Sequence, residues 1–247
     1  MIETELAPPD TADSAILVDL FLSYRAEGAW RDMCRLYEIL PLTLKRAVMI
    51  REQYGLALNR LKMRAEALSV LEDIEATQGP SSETCSLIGR VYKDLWQDRE
   101  SDGDLVGAEL FLGAAIDAYR RGFKADWRDA YPGINLVTLL DLEGKTASLT
   151  ERNKLLPIVT FAAEQRVEQG SPDYWDYATL LELAVLGENK RDADRHLHDA
   201  LERVTERWQT ESTANNLQLL QRYRRRRQQD VEWMHSLVSR LSFRENE

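Results

Sequence analysis

Two neighbouring helices that need each other stand in the stretch Cys85 to Gly133, and they constrain what the chain can become. In CSLIGRVYKDLWQD, the apolar residues Ile88, Val91, Tyr92, Leu95 and Trp96 recur at the i, i+3, i+4, i+7, i+8 spacing of one helical face. Arg90, Lys93, Asp94 and Gln97 form the opposite stripe. The second segment, AELFLGAAIDAYRRGFKAD, is small and apolar at Ala114, Ala115 and Ala118, with Tyr119 and Phe123 as its larger groups. Small residues let a neighbouring helix come close, and the aromatics fill the space that is left. This is the logic of a helical-hairpin repeat.

The same logic recurs along the chain. A tetratricopeptide repeat is a helix pair of about 34 residues, with a small residue near its eighth position and an alanine twelve residues later. Gly55 and Ala67 have this spacing, followed by Leu71. Phe21 and Met33 have it with larger groups. Gly89 and Ala115 match if about fourteen extra residues lie between their helices, and Ala178 and Ala193 match with three. Sustained period-2 alternation and hairpin turn signals are lacking. The expectation is an all-α, tetratricopeptide-like α-solenoid of antiparallel helical hairpins with about 11–13 helices. Residues 1–12 read as a flexible acidic tail, and residues 13–243 as a single helical-repeat domain with an acidic insertion loop at 98–107. Within it, Asp13 or Ser14 caps the first helix, Gly28, Gly79 and Gly144 mark helix ends, Gly133 opens a helix, and Pro157 marks a boundary or kink. Residues near 43–60 read as one helix.

Composition narrows the function. Hydrophobic residues at 44% and charged residues at 30% give a globular balance over 247 residues. No apolar run is long enough to span a membrane, and the acidic, proline-containing start lacks the features of a secretion signal. The cytoplasm is the expected compartment. A net charge of −10 disfavours nucleic acid and anionic membranes as partners. Arginine outnumbers lysine, a usage that fits a GC-rich bacterial genome. Cys34 and Cys85 belong to no CxxC pair and fall on apolar faces, where a thiol behaves as a small hydrophobe.

Several motifs are weaker than they first look. Asp98–Glu109, DRESDGDLVGAE, has the acid spacing and central glycine of a calcium loop. Its third position is glutamate and no second loop pairs with it, so a solvated acidic insertion is the preferred reading. Arg222, Arg224, Arg225, Arg226 and Arg227 form the one strong basic cluster. It reads either as the solvated end of a helix, favourable to the helix dipole, or as a patch for an acidic partner, with nucleic acid a further alternative. His196 and His198 do not share a helical face. A phosphate-binding glycine loop, a nucleophile elbow and HExxH are all missing. No catalytic, cofactor-binding or metal-ligating set emerges, and the chain is read as non-enzymatic.

An ordered set of segments resembles a known family. LSYRAEGAW (Leu22–Trp30), YGLALNR (Tyr54–Arg60), GRVYKDLW (Gly89–Trp96), AYRRGF (Ala118–Phe123), YPGIN (Tyr131–Asn135) and YWDYATLLELAVL (Tyr174–Leu186) are followed by Trp208, Ser212, Thr213, Asn216 and Leu217. Together they resemble the central regulatory domain of the apoptosis signal-regulating kinases, called the TRAFs-binding domain, and its stand-alone bacterial relatives. The resemblance implies a tetratricopeptide-like fold and a regulatory role through protein partners. Kinase and thioredoxin-binding segments are not among the 247 residues, so the expectation is a scaffold or adaptor serving stress or defence signalling in trans. A regulatory subunit that holds a separate effector enzyme in check is the alternative. Within the matched segments, Arg90, Lys93, Asp94, Asn135, Trp175 and Asp176 are the candidate partner-binding or register-fixing positions. Arg90 and Asp94 are one turn apart, Asn135 is expected to open a helix, and Asp176 to lie in the first turn of another.

Overall fold

The computed structural model describes residues 13–242, and among these it contains thirteen helices and no strand. The chain divides into two compact units, 1–122 and 123–247, where periodicity had suggested one domain over 13–243. The first unit holds α1 (Ser14–Ala26), α2 (Trp30–Ile39), the single turn α3 (Leu42–Lys45), α4 (Val48–Arg60), α5 (Arg64–Gln78), α6 (Ser82–Ser101) and most of α7 (Leu105–Ala125). The second holds the end of α7, then α8 (Ala130–Glu143), α9 (Thr146–Gln169), α10 (Tyr174–Leu186), α11 (Lys190–Leu201), α12 (Arg207–Arg226) and α13 (Met234–Ser242). The connections are short, so successive helices form hairpins, as the sequence repeats require. The acidic tail at 1–12 and residue 243 lie outside the described residues.

Side-chain caps account for many helix starts. Asp13 accepts from the Ala15 amide at 2.9 Å, and Ser81 accepts from Thr84 at 3.0 Å. Asp129 accepts from the Tyr131 amide at 3.0 Å. At α10, Asp173 and Asp176 form a reciprocal capping box. Gly144 ends α8 in the left-handed region, with φ 67°, where other residues are strained.

Three expected boundaries move. Residues 43–60 form two helices rather than one, broken at Arg46 and Ala47. α8 opens at Ala130 behind its Asp129 cap, so Gly133 and Asn135 lie inside it instead of opening it. α9 runs through Pro157 without a boundary.

The acidic insertion loop at 98–107 is corrected as well. α6 continues to Ser101 and α7 begins at Leu105, which leaves only 102–104 outside a helix. The extra residues between Gly89 and Ala115 lengthen two helices, to 20 and 21 residues. Apart from Gly103 and Gly107, the segment contains no helix breaker, and Asp104 caps the new start by accepting from the Gly107 amide at 2.9 Å. Among the described residues, no group of three His, Cys, Asp or Glu converges as metal ligands would.

Packing is organised by close approach. A Cβ added at Gly55 would stand 2.8 Å from the Leu71 side chain, and one at Gly89 would stand 2.8 Å from the Tyr119 ring. At Gly133 it would meet Phe123 and Val159, each at 2.9 Å. These separations bury Ala67, Ala115 and Ala118 completely. In the first unit, one cluster joins Leu17, Phe21, Met33, Leu36, Ile50 and Ala57, and another joins Leu58, Leu71, Ile74, Ile88 and Val91. In the second, α8 is buried nearly all round, from Pro132 to Leu142. A helix apolar on every face belongs inside.

Gly89→Ala is expected to destabilise the chain by about 1–3 kcal/mol, through overpacking against Tyr119. Gly113 offers the contrast, because its Cβ would meet nothing within 4 Å. Gly113→Ala is expected to stabilise by roughly 0.5–1 kcal/mol. Urea unfolding of the two variants beside the parent checks both signs.

Candidate protein-interaction site

The polar residues of the matched segments do two kinds of work inside the units. In the first unit, Asp94 on α6 accepts from Asn59 Nδ2 at 2.8 Å and lies 3.5 Å from Arg64 Nη1. Asn59 is buried on α4 and Arg64 opens α5, so one carboxylate joins three helices. Arg64 also reaches Asp98 at 3.3 Å. Arg90 and Lys93 are half-buried on the same helix. Nearby, Glu75 accepts from Arg121 Nε at 2.6 Å, and that bond holds its carboxyl below the usual range. Cys85 Sγ donates to Glu75 at 3.3 Å, and burial together with this bond pushes the thiol up to about 11. Both cysteines are free thiols, and neither has the lowered pKa that a reactive thiolate needs.

The second unit contains a buried charge cluster that overturns part of the basic-patch expectation. Asp141 on α8 is fully buried, and Arg224 on α12 is 1% exposed. Arg224 grips both carboxylate oxygens, with Nε to Oδ2 at 3.0 Å and Nη2 to Oδ1 at 3.1 Å. Its remaining donors reach the Val185 and Leu186 carbonyls, each at 3.1 Å. Arg227 adds a bond to Asp141 Oδ2 at 3.2 Å, and Arg152 on α9 bonds to Oδ1. Burial alone would raise the Asp141 pKa, but Arg224, Arg152 and Arg227 overcome it and hold the carboxyl below its ordinary value. Arg224 is therefore an interior fastener, not a surface charge, because a planar guanidinium satisfies a buried carboxylate bidentately, and the partly buried Arg227 supports it from the rim. Arg222, Arg225 and Arg226 stay exposed. Arg222 and Arg226 lie over the Tyr223 ring, and Arg225 lies near Glu232 and His235.

The late motif residues are also tied to the core. The Tyr174 hydroxyl donates to the Gln209 carbonyl at 3.1 Å and is hydrogen-bonded with the Thr213 hydroxyl at 2.7 Å. Burial pushes its phenol up to about 12. Trp175 packs edge-on against Tyr174 and tilts against Trp208, with ring centroids 5.1 and 5.3 Å away. Asn216 donates to Glu182 at 3.0 Å. These contacts seat α12 on α10. Asn135 donates to the Tyr131 carbonyl a turn earlier in its own helix.

A groove of about 550 Å³ opens in the second unit, lined by Trp127, Arg128, Phe161, Arg166, Gly170 and Asp176 among others. Trp127 sits in the turn before α8, where Arg128 chelates Asp126. Phe161 comes from α9. Arg166 Nε bonds to Asp176 at 2.7 Å and closes one side. Trp127 and Phe161 remain 53% and 51% exposed. Apart from Asp176, sequence reasoning missed this site. Its aromatics come from separate segments, and their exposure carries no sequence signal.

Comparison with known proteins adds the family. The MAP3K TRAFs-binding domain family matches residues 1–239. The chain belongs to this family. Mitogen-activated protein kinase kinase kinase nsy-1 of Caenorhabditis elegans is 30% identical, over 90% of this chain and 16% of its own length. Mitogen-activated protein kinase kinase kinase 15 of Mus musculus is 27% identical, over 86% of this chain and 16% of its own length. The chain thus spans about one sixth of these relatives. A thermophilic tetratricopeptide-repeat protein of Thermus thermophilus aligns over 83% of this chain and 99% of its own, with a TM-score of 0.62 at 14% identity. The all-α, tetratricopeptide-like reading of the MAP3K TRAFs-binding domain sequence is therefore the observed fold. Three glycines of the resemblance, in YGLALNR, GRVYKDLW and YPGIN, are the close-approach residues Gly55, Gly89 and Gly133. Among the described residues, no helix is long and apolar enough to cross a membrane.

Asp141→Asn is expected to cost about 3–5 kcal/mol, because it leaves buried guanidinium charge without its counter-ion. The lowered carboxyl also sets a pH dependence. Its contribution is fully present above the unfolded carboxyl value of about 3.9 and fades as pH falls through the lower folded value. Thermal unfolding of the parent and the asparagine variant between neutral and acidic pH checks both, and their difference should narrow only at the acid end.

Proposed function

We propose that this chain is a non-enzymatic, cytoplasmic helical-repeat scaffold that binds protein partners in stress or defence signalling. Membership of a family described as TRAFs-binding and likeness to a tetratricopeptide protein support a protein-binding role. The names of the relatives, protein kinases of a signalling cascade, support the setting. The observation that carries the reading to a place on this chain is the groove of the second unit. Two large aromatics left half exposed beside paired charges are the usual composition of a protein-binding hot spot. A partner segment would lay an apolar side chain between Trp127 and Phe161, with Arg128, Arg166 and Asp176 supplying polar contacts at the rim.

Asp94 and Asp176, together with Arg90, Lys93, Asn135 and Trp175, are proposed as register-fixing positions that keep helices in place within each unit. The bonds of Asp94 to Asn59 and Arg64 support this role. Asp94→Ala is expected to cost about 1–3 kcal/mol by stranding buried partners. An unchanged melting temperature would instead favour direct partner contact.

Affinity purification from the native host, read by mass spectrometry, tests the main proposal. The parent chain should retain a defined partner, and the Trp127→Ala/Phe161→Ala double variant should lose it. The same partner on both would remove the groove from the reading. A folded parent chain that retains none would remove the scaffold role itself.

A further inference from the structure

The chain has seven prolines, and only Pro172 follows a serine or threonine. The residue before a proline is kept out of the helical region, so the Ser171–Pro172 pair belongs in a connection between helices. It is found in one. α9 ends at Gln169 and α10 begins at Tyr174, which leaves 170–173 between them. Gly170 is extended, with φ −144° and ψ −162°, and so is Asp173, with φ −96° and ψ −172°. Ser171 is exposed. Among the described residues its hydroxyl has no hydrogen-bond partner. Ser23, Ser101 and Ser242, by contrast, turn theirs back onto a carbonyl of their own helix.

A second, separate observation is what stands beside this hydroxyl. Ser171 lines the groove of the second unit together with Arg128 and Arg166. Arg166 belongs to the last turn of α9, five residues before Ser171. Both guanidiniums are largely exposed, at 70% for Arg166 and 76% for Arg128. Each already has a carboxylate, Asp176 for Arg166 and Asp126 for Arg128. Asp176, and after it Asp173 and Asp129, hold Arg166 above the ordinary guanidinium value. The influence of Asp173 shows that Arg166 lies within electrostatic reach of the segment that carries Ser171. Exposed carboxylate pairs of this kind are weak. A phosphate with two charges and three acceptor oxygens outcompetes them for a planar guanidinium.

We propose that Ser171 is a phosphorylation site, and that its phosphate, gripped by Arg166 and Arg128, closes the groove to a partner. The transfer requires a protein serine kinase and a nucleoside triphosphate. Ser171 Oγ forms a bond to the γ-phosphorus, and the bond from that phosphorus to the β–γ bridging oxygen breaks. The nucleoside diphosphate leaves, and the hydroxyl proton passes to a base of the kinase. The product carries about −1.5 to −2 charge at neutral pH. It takes the two cations that would otherwise meet a bound segment at the rim. Only this last step, the loss of the partner, rests on the proposed binding role of the groove.

The test treats the full chain with a proline-directed protein serine kinase and magnesium ATP. Mass spectrometry should find one phosphoryl group on Ser171, and Ser171→Ala should take up none there or elsewhere. An unmodified Ser171 would overturn the site. Phosphorus NMR then reads the grip through the second phosphate pKa, ordinarily about 6. Arg128 and Arg166 lower it, whereas Asp126 and Asp129 before α8, Glu168 on α9, and Asp173 and Asp176 at the start of α10 raise it. A value below about 6 is expected in the folded parent, rising to about 6 in urea and to about 6 or above in Arg128→Gln/Arg166→Gln. One value in all three would overturn the grip. In the affinity purification, the phosphorylated chain should retain its partner roughly tenfold less well than the parent. Equal retention would overturn the closure. A parent that retains no partner removes the scaffold reading and the closure with it, while the mass and phosphorus spectra still decide Ser171.

Discussion

Helices in this chain meet at glycines. At Gly55, Gly89 and Gly133 the facing side chain occupies the space that a Cβ would need, so these helix pairs can close only where the sequence supplies no side chain. That closeness lets Ala67, Ala115 and Ala118 disappear from solvent and makes room for Leu71, Tyr119, Phe123 and Val159 as the filling groups. Interiors packed to this density respond to a single methyl group. The same three glycines belong to segments that relate the chain to the MAP3K TRAFs-binding domain family. Part of the family's sequence signature is therefore a record of helix packing, and it marks a fold more directly than a binding surface.

Buried charge supplies the second kind of specification. Asp141 sits in the mostly apolar helix α8 and gathers Arg152 from α9, Arg224 from α12 and Arg227 from the residue that ends α12. A hydrophobic contact in that place would tolerate sliding, whereas a carboxylate gripped by a planar guanidinium allows one register. Asp94 does related work in the first unit through Asn59 and Arg64. Charges that looked available for partners in the one-dimensional pattern are in part already used inside the molecule.

The surfaces left over are aromatic and aliphatic. Trp127 and Phe161 line a groove in one unit, and Val106 and Leu110 stand out from α7 in the other. The groove lies beside the charged groups Arg128, Arg166 and Asp176. Apolar anchors with charge around them suit protein partners, which gain from burial and are selected by charge.

Helical periodicity, the small-residue spacings at Gly55–Ala67 and Gly89–Ala115, the Asp13 cap and the first-turn place of Asp176 were legible in the sequence because they are local or nearly so. They sufficed for the fold class and the approximate number of helices, while the family came from the ordered segments that resemble it. Whether residues 98–107 formed a loop or longer helices was not legible, because an acidic segment without strong breakers can do either until its neighbours are packed. The arginine run was misread for a related reason. Arg224 is identical in kind to Arg225 beside it, and only the arrival of Asp141, 83 residues away along the chain, decides that one is buried and the other wet. The groove was invisible from the sequence because exposure is a property of three-dimensional packing. Local sequence determined most of the helices and the small residues where they can touch; tertiary structure decided which polar groups were consumed in holding them and which apolar ones stayed exposed.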